Sequence, residues 1–225
     1  NYSELNERVT VHLLNGSMMN SDFHADLLPY SKMKWSADQA AIIYSIWLFD
    51  KNNSTNHAKQ LIERWTSFMK KHQKHSATGL YKTEVVGIKK YSNQPRGCAL
   101  AYLIHYMHRF AEEDAKSQWK LFKKHMEVKV IGIQGFREYL KSYDGSWTPD
   151  SGPIIKGLGI AATGLALNAS STVGDMNTFK ILEKGMTKVY KYFEKVDYLP
   201  GLNMVTKIGT DLLASSIWLN AETKV

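Results

Sequence analysis

Helical spacing recurs in seven stretches after residue 35, and these stretches alternate between two kinds. Residues 36–50 carry Ala40, Ala41, Ile42, Ile43, Ile46, Trp47, Leu48 and Phe49 around nearly the whole circumference. A helix that is apolar all round is surrounded by protein. Residues 55–71 instead place Ala58, Leu61, Ile62, Trp65, Phe68 and Met69 on one stripe, with lysines mostly elsewhere. The alternation continues. Stretches 96–110, 153–168 and 210–221 are apolar on every side, and 114–126 and 175–194 are striped. Such an order predicts helical hairpins in which one helix lines an inner ring and the next shields it from water. The expected fold is therefore all-α, an α/α toroid built from antiparallel helix pairs. The pairs start near Ser36, Arg96, Pro153 and Thr210, about sixty residues apart. A plain helical bundle holds the same helices without requiring the alternation. Only 84–88 and 128–133 look extended. Residues 1–35, interrupted by Pro29, read as a lead-in arm, and 36–225 as a single toroid domain.

Composition narrows the function classes. The chain has 225 residues, 44% hydrophobic and 22% charged, which excludes disorder as the main state. No apolar run is long enough for a membrane span. Lys and Arg exceed Asp and Glu by 29 to 21, a formal charge of +8. The lysine clusters fall in polar stripes or helix exits, without a Gly-rich phosphate loop or an arginine-rich arm. They read as solvated faces, and no nucleic-acid partner is expected. The lone Cys98 excludes an intramolecular disulfide and a cysteine-based zinc site, and its apolar helix suggests a buried thiol. His105 and His108 have a spacing that two metal ligands can use, but no further ligands accompany them, so neither metal nor cofactor is expected. Gly157, Gly159 and Gly164 do not match a dinucleotide fingerprint and read as close helix approaches.

In a ring of parallel inner helices the amino ends gather on one face, where free amides and helix dipoles favour polar ligands. Trp35, Ser36 and Asp38 open the first inner helix. Tyr91, Asn93, Gln94 and Arg96 precede the second. Tyr143, Asp144, Trp147, Asp150 and Ser151 precede the third, and Lys207, Thr210 and Asp211 the fourth. Asp38 and Asp150 are the candidate proton carriers, suited to acid–base work when one is desolvated and the other is not. Arg96, which a helix dipole disfavours in a first turn, is expected to hold a ligand carboxylate or Asp150. Trp35, Tyr91, Trp147 and Ser151 are candidate substrate contacts, with Tyr102 and His105 projecting into the lumen. Each also has a structural reading: Ser36, Asp150, Ser151 and Asp211 suit helix caps, and the tryptophans suit a core. Ser36 with Gln39 has capping-box spacing.

The run Asp150-Ser151-Gly152-Pro153-Ile154-Ile155-Lys156-Gly157-Leu158-Gly159, continuing through Gly164 to Gly174-Asp175, resembles bacterial proteins of the linalool dehydratase/isomerase-like group. Ser36-Ala37-Asp38-Gln39-Ala40, Thr78-Gly79-Leu80 and Gln94-Pro95-Arg96-Gly97 are similar to that group in the same order. The resemblance spans roughly residues 36–222 and implies an α/α toroid, independently of the periodicity. It also implies a longer parent protein, periplasmic or membrane-associated, in which an oligomer fits. The enzyme that names the group uses cysteines with acidic and aromatic residues, whereas this chain has Cys98 alone, so its substrate is not carried over. The expected function is acid–base chemistry of lyase, isomerase or hydrolase type on a small, isoprenoid-like or glycan ligand. The alternative is a non-catalytic toroid that binds a ligand, glycan or protein.

Overall fold

The computed structural model describes residues 1–26, 33–86, 94–143, 145–146, 148 and 150–195, with side chains to 188. Among these the chain is mainly helical. Helix α1 (Tyr2–Met18) opens with the Asn1 side chain accepting from Ser3 N at 3.1 Å. Strand β1 (Lys34–Trp35) leads into α2 (Ser36–Asn53), followed by α3 (Ala58–His72) and β2 (Glu84–Val86). Next come α4 (Gly97–Met107), α5 (Glu112–Met126), β3 (Glu127–Val130) and β4 (Ile133–Phe136). The last elements are β5 (Ile154–Ile155), β6 (Leu158–Gly159), α6 (Ile160–Thr172) and α7 (Met176–Lys195). The strands form three two-stranded antiparallel pairs, β1–β2, β3–β4 and β5–β6.

Helix α4 packs between α2 and α6, and α3, α5 and α7 each pack on the helix preceding them. The apolar helices therefore form an inner layer and the striped helices an outer one. The inner helices are parallel. Near the start of α4, Gly97 approaches Ala162 on α6, and at its end His105 Nδ1 lies 2.7 Å from Thr172 Oγ1. Along α2, Tyr44 packs on Tyr106 at a ring distance of 5.5 Å. Trp65, Phe122 and Phe136 are fully buried between the layers. Burying each of them contributes about 2–3 kcal/mol before conformational entropy is subtracted.

Side-chain caps hold the turns. Asp50, at the end of α2, accepts from Ala58 N at 2.7 Å, His57 N at 2.9 Å and the Thr55 hydroxyl at 2.6 Å. It thereby caps α3 across the turn. Asp175 does the same for α7, accepting from Thr178 N at 3.1 Å and from Lys123 Nζ and Trp119 Nε1 on α5. The lead-in is tied to α2 by Gln39, which accepts from Ala25 N at 2.9 Å and donates to Ser17 Oγ at 2.9 Å.

Three expectations need correction. Ser36 and Gln39 form no capping box: Trp35 occupies the cap position, Gln39 serves the lead-in, and the buried Ser36 hydroxyl has no partner among the described residues. The third inner helix starts at Ile160, not Pro153. Residues 154–159 form a hairpin instead, because Lys156 (φ +51°) and Gly157 (φ +88°) make a two-residue turn of type I′ character. Nor are the inner helices covered on every side by the described residues. Asp38, Ala41, Ser45 and Leu48 on α2, and Ala99, Tyr102 and Tyr106 on α4, are exposed or only partly buried. Residues 210–221, read as a fourth inner helix, lie outside the described residues.

Candidate functional site

The amino ends of α2, α4 and α6 are linked through the backbone. Ser36 N donates to Thr83 O at 3.0 Å, and Thr83 N to Gln94 O at 3.5 Å, joining α2 to the lead-in of α4. Gly97 N donates to Glu138 O at 2.8 Å. Glu138 in turn lies against Gly159, just before α6. A Cβ at Gly97 would sit 2.0 Å from Arg137 O, so only glycine admits this approach.

At this junction sits a polar cluster. Arg96, the N-cap residue of α4, donates from Nε to Glu138 Oε1 at 3.0 Å and from Nη2 to Thr148 Oγ1 at 2.8 Å. Its Nη1 lies 3.0 Å from Asp150 Oδ2. Cys98 donates from its backbone N to Glu138 Oε2 at 3.2 Å and from Sγ to Oε1 at 3.1 Å. Tyr139 places its ring 5.8 Å from the guanidinium carbon. Glu138 is fully buried and Arg96 nearly so, whereas the Asp150 side chain is 63% exposed. Arg96 bridges a buried acid to one at the surface.

The cluster separates the acids by environment. Burial pushes the Glu138 carboxyl above its ordinary range, and its bonds to Cys98 and Arg96 offset only part of that. Burial also pushes the Cys98 thiol well up, reinforced by the Glu138 charge, so Cys98 stays a protonated donor. At Asp150 burial acts upward but is outweighed by the Thr148 hydroxyl and Arg96, which hold it below the usual carboxylate range.

Asp38 is placed differently. It lies in the first turn of α2, half-buried, on the open stripe. Burial raises its carboxyl, and no described cation offsets the rise. Its charge acts on Tyr102, which burial and a hydrogen bond with Tyr106 push upward. The Tyr102 and Tyr106 rings are 4.7 Å apart, and Tyr106 meets His105 at 4.8 Å. Burial lowers His105 to about 4, with the Arg109 charge adding to it, so this imidazole is neutral at pH 7. No hydrogen bond or ion pair joins Asp38 to Asp150.

The other sequence candidates fall as follows. Trp35 is half-buried at the cap of α2. Ser151 is fully buried, and its hydroxyl closes its own turn, accepting from Thr148 N at 2.8 Å and lying 3.0 Å from Thr148 O. It is neither a helix cap nor open to a ligand. Tyr91 and Trp147 lie outside the described residues. Arg96 precedes α4 instead of lying in its first turn, which removes the conflict with the dipole, and its donors face Glu138, Thr148 and Asp150. Glu138 was missed in the sequence. It sits in the irregular stretch after β4, where periodicity gives no guidance, and its one signal is a carboxylate flanked by Phe136, Tyr139 and Leu140. Gly157 and Gly159 make room for Arg137 and Glu138, not for another helix. Among the described residues no three His, Cys, Asp or Glu side chains are grouped as metal ligands.

No protein-family model and no curated protein matches this chain.

Proposed function

We propose that this chain is an abbreviated α/α toroid of the linalool dehydratase/isomerase-like type that performs acid–base chemistry on a small ligand. The site is the mouth at the amino ends of α2, α4 and α6. The observation that carries this reading is the placing of Asp38 in the first turn of α2 and of Asp150 on Arg96, just before α4, at linked ends of the inner layer. Asp38 is raised by burial and has no described cationic partner, and Asp150 is lowered by Arg96 and Thr148. Acid and base roles are divided in this way when two carboxyls must act differently at one pH. Asp38 donates the proton, with Tyr102 beside it, and Asp150 stays ionised as the acceptor. Arg96 acts as the anchor of Asp150. Three parallel inner helices, each covered by an outer one, support the toroid.

The reaction class is a lyase, isomerase or hydrolase step on an uncharged isoprenoid-like or glycan ligand. Incubating the protein in D2O with a panel of terpene alcohols, small secondary alcohols and glycosides tests it, with products and deuterium uptake read by mass spectrometry. Asp38→Asn and Asp150→Asn should each slow turnover at least about 100-fold. Wild-type turnover in both variants overturns the mechanism.

A second reading, a non-catalytic binding toroid, is favoured by one observation: Arg96, Glu138, Cys98 and Asp150 satisfy one another, as a structural clasp does. Saturable ligand binding without turnover across the panel would support it.

A further inference from the structure

The β3–β4 hairpin carries an unusual tip. Val130 pairs with Ile133, leaving a two-residue loop of Ile131 (φ +50°) and Gly132 (φ +75°). Such turns favour Asn, Asp or Gly at both positions, and a β-branched residue in the left-handed region is strained. Ile131 is also 83% exposed. Two independent costs, backbone strain and apolar exposure, meet on one side chain.

The surroundings indicate what Ile131 meets. Lys129 is exposed on the same hairpin. Helix α7 packs on β4 through Gly185, whose Cβ position lies 3.4 Å from Ile133 Cγ2, and it carries exposed Lys184 and Lys188. None of these three lysines forms an ion pair among the described residues. The nearby acids are Glu127, hydrogen-bonded to Gln134, and Glu183.

We propose that this tip inserts Ile131 into the surface of an anionic lipid bilayer while the lysines meet the headgroups. A protein interface needs a broad patch with an apolar core. Here a single apolar side chain stands at a point among cations, which suits the boundary of a charged membrane. The inference needs no turnover and stands whether or not the mouth is catalytic.

Vesicle co-sedimentation of the whole chain tests it. Phosphatidylcholine vesicles are compared with vesicles in which about a third of the lipid is phosphatidylserine. The protein should partition to the anionic vesicles only, and about 0.5 M NaCl should weaken that binding strongly. Ile131→Asn suits the turn better than isoleucine, so its melting temperature should hold or rise while partitioning falls about tenfold. Lys129→Glu, on an exposed strand position, should also weaken binding. Equal partitioning of Ile131→Asn and wild type, or no preference for the anionic lipid, overturns the proposal. So does a gel-filtration shift caused by Ile131→Asn without vesicles, which would assign the tip to a contact between copies.

Discussion

Arg96 is the residue on which the junction of the inner helices turns. Its guanidinium is the described cation in contact with the buried Glu138 carboxylate. Removing one member of a buried pair leaves the other charge uncompensated. Arg96→Ala should therefore destabilise the protein by about 3–5 kcal/mol, read by urea denaturation. Glu138→Gln, which keeps the shape and removes the charge, should cost less. Two histidines give a second prediction at this scale. Burial lowers His24 to about 4, and its Nε2 accepts from Trp65 Nε1 at 3.3 Å, a role that requires the neutral ring. Burial lowers His105 to the same value. The unfolded chain takes up these protons near pH 6.5 and the folded chain only near pH 4, so stability falls as pH drops through that window. The loss should amount to roughly 3 kcal/mol per histidine. Denaturation curves across that range should be visibly flatter for His24→Gln. The sequence exposed Arg96 as a residue needing a partner, but Glu138 lay in a stretch with no periodic pattern. Ser36 and Gln39 misled because their spacing satisfies a local rule while tertiary partners claim Gln39.

Among the elements, the described helices after residue 35 were readable to within about three residues at their starts, apart from α6, whereas α1 was not readable as a helix. Burial periodicity marks the middle of a helix, and six of the seven spaced stretches match described helices, the seventh lying beyond residue 195. The start of α6 differs because the stretch 153–168 is apolar on every side, while Lys156 and Gly157 inside it take positive φ and turn residues 154–159 into a hairpin. The glycines permit predictions. Gly97→Ala would press a methyl group onto the Arg137 carbonyl and should prevent stable folding or lower the melting temperature by well over ten degrees. Lys156→Asn places a residue tolerant of positive φ in the β5–β6 turn and should stabilise by about 0.5–1 kcal/mol. Asp50→Ala removes the cap shared by Ala58, His57 and Thr55 and should cost about 2 kcal/mol, read by thermal melting.

For the whole molecule, the alternation of buried and striped helices translates into two layers with three parallel inner helices. That arrangement brings Trp35, Asp38, Arg96, Glu138 and Asp150 to the same end of the inner layer although they are far apart in the chain. Sequence spacing predicts that these residues gather at the starts of the inner helices. It does not show that Asp38 and Asp150 have different surroundings, since that depends on burial and on which carboxyls Arg96 reaches. The most direct measurement of the account is a carbon-13 NMR titration of aspartate carboxyls, assigned through Asp38→Asn and Asp150→Asn. The Asp38 carboxyl should titrate above the ordinary aspartate range and the Asp150 carboxyl below it. The reverse order, or two carboxyls titrating together at the ordinary value, would contradict the account.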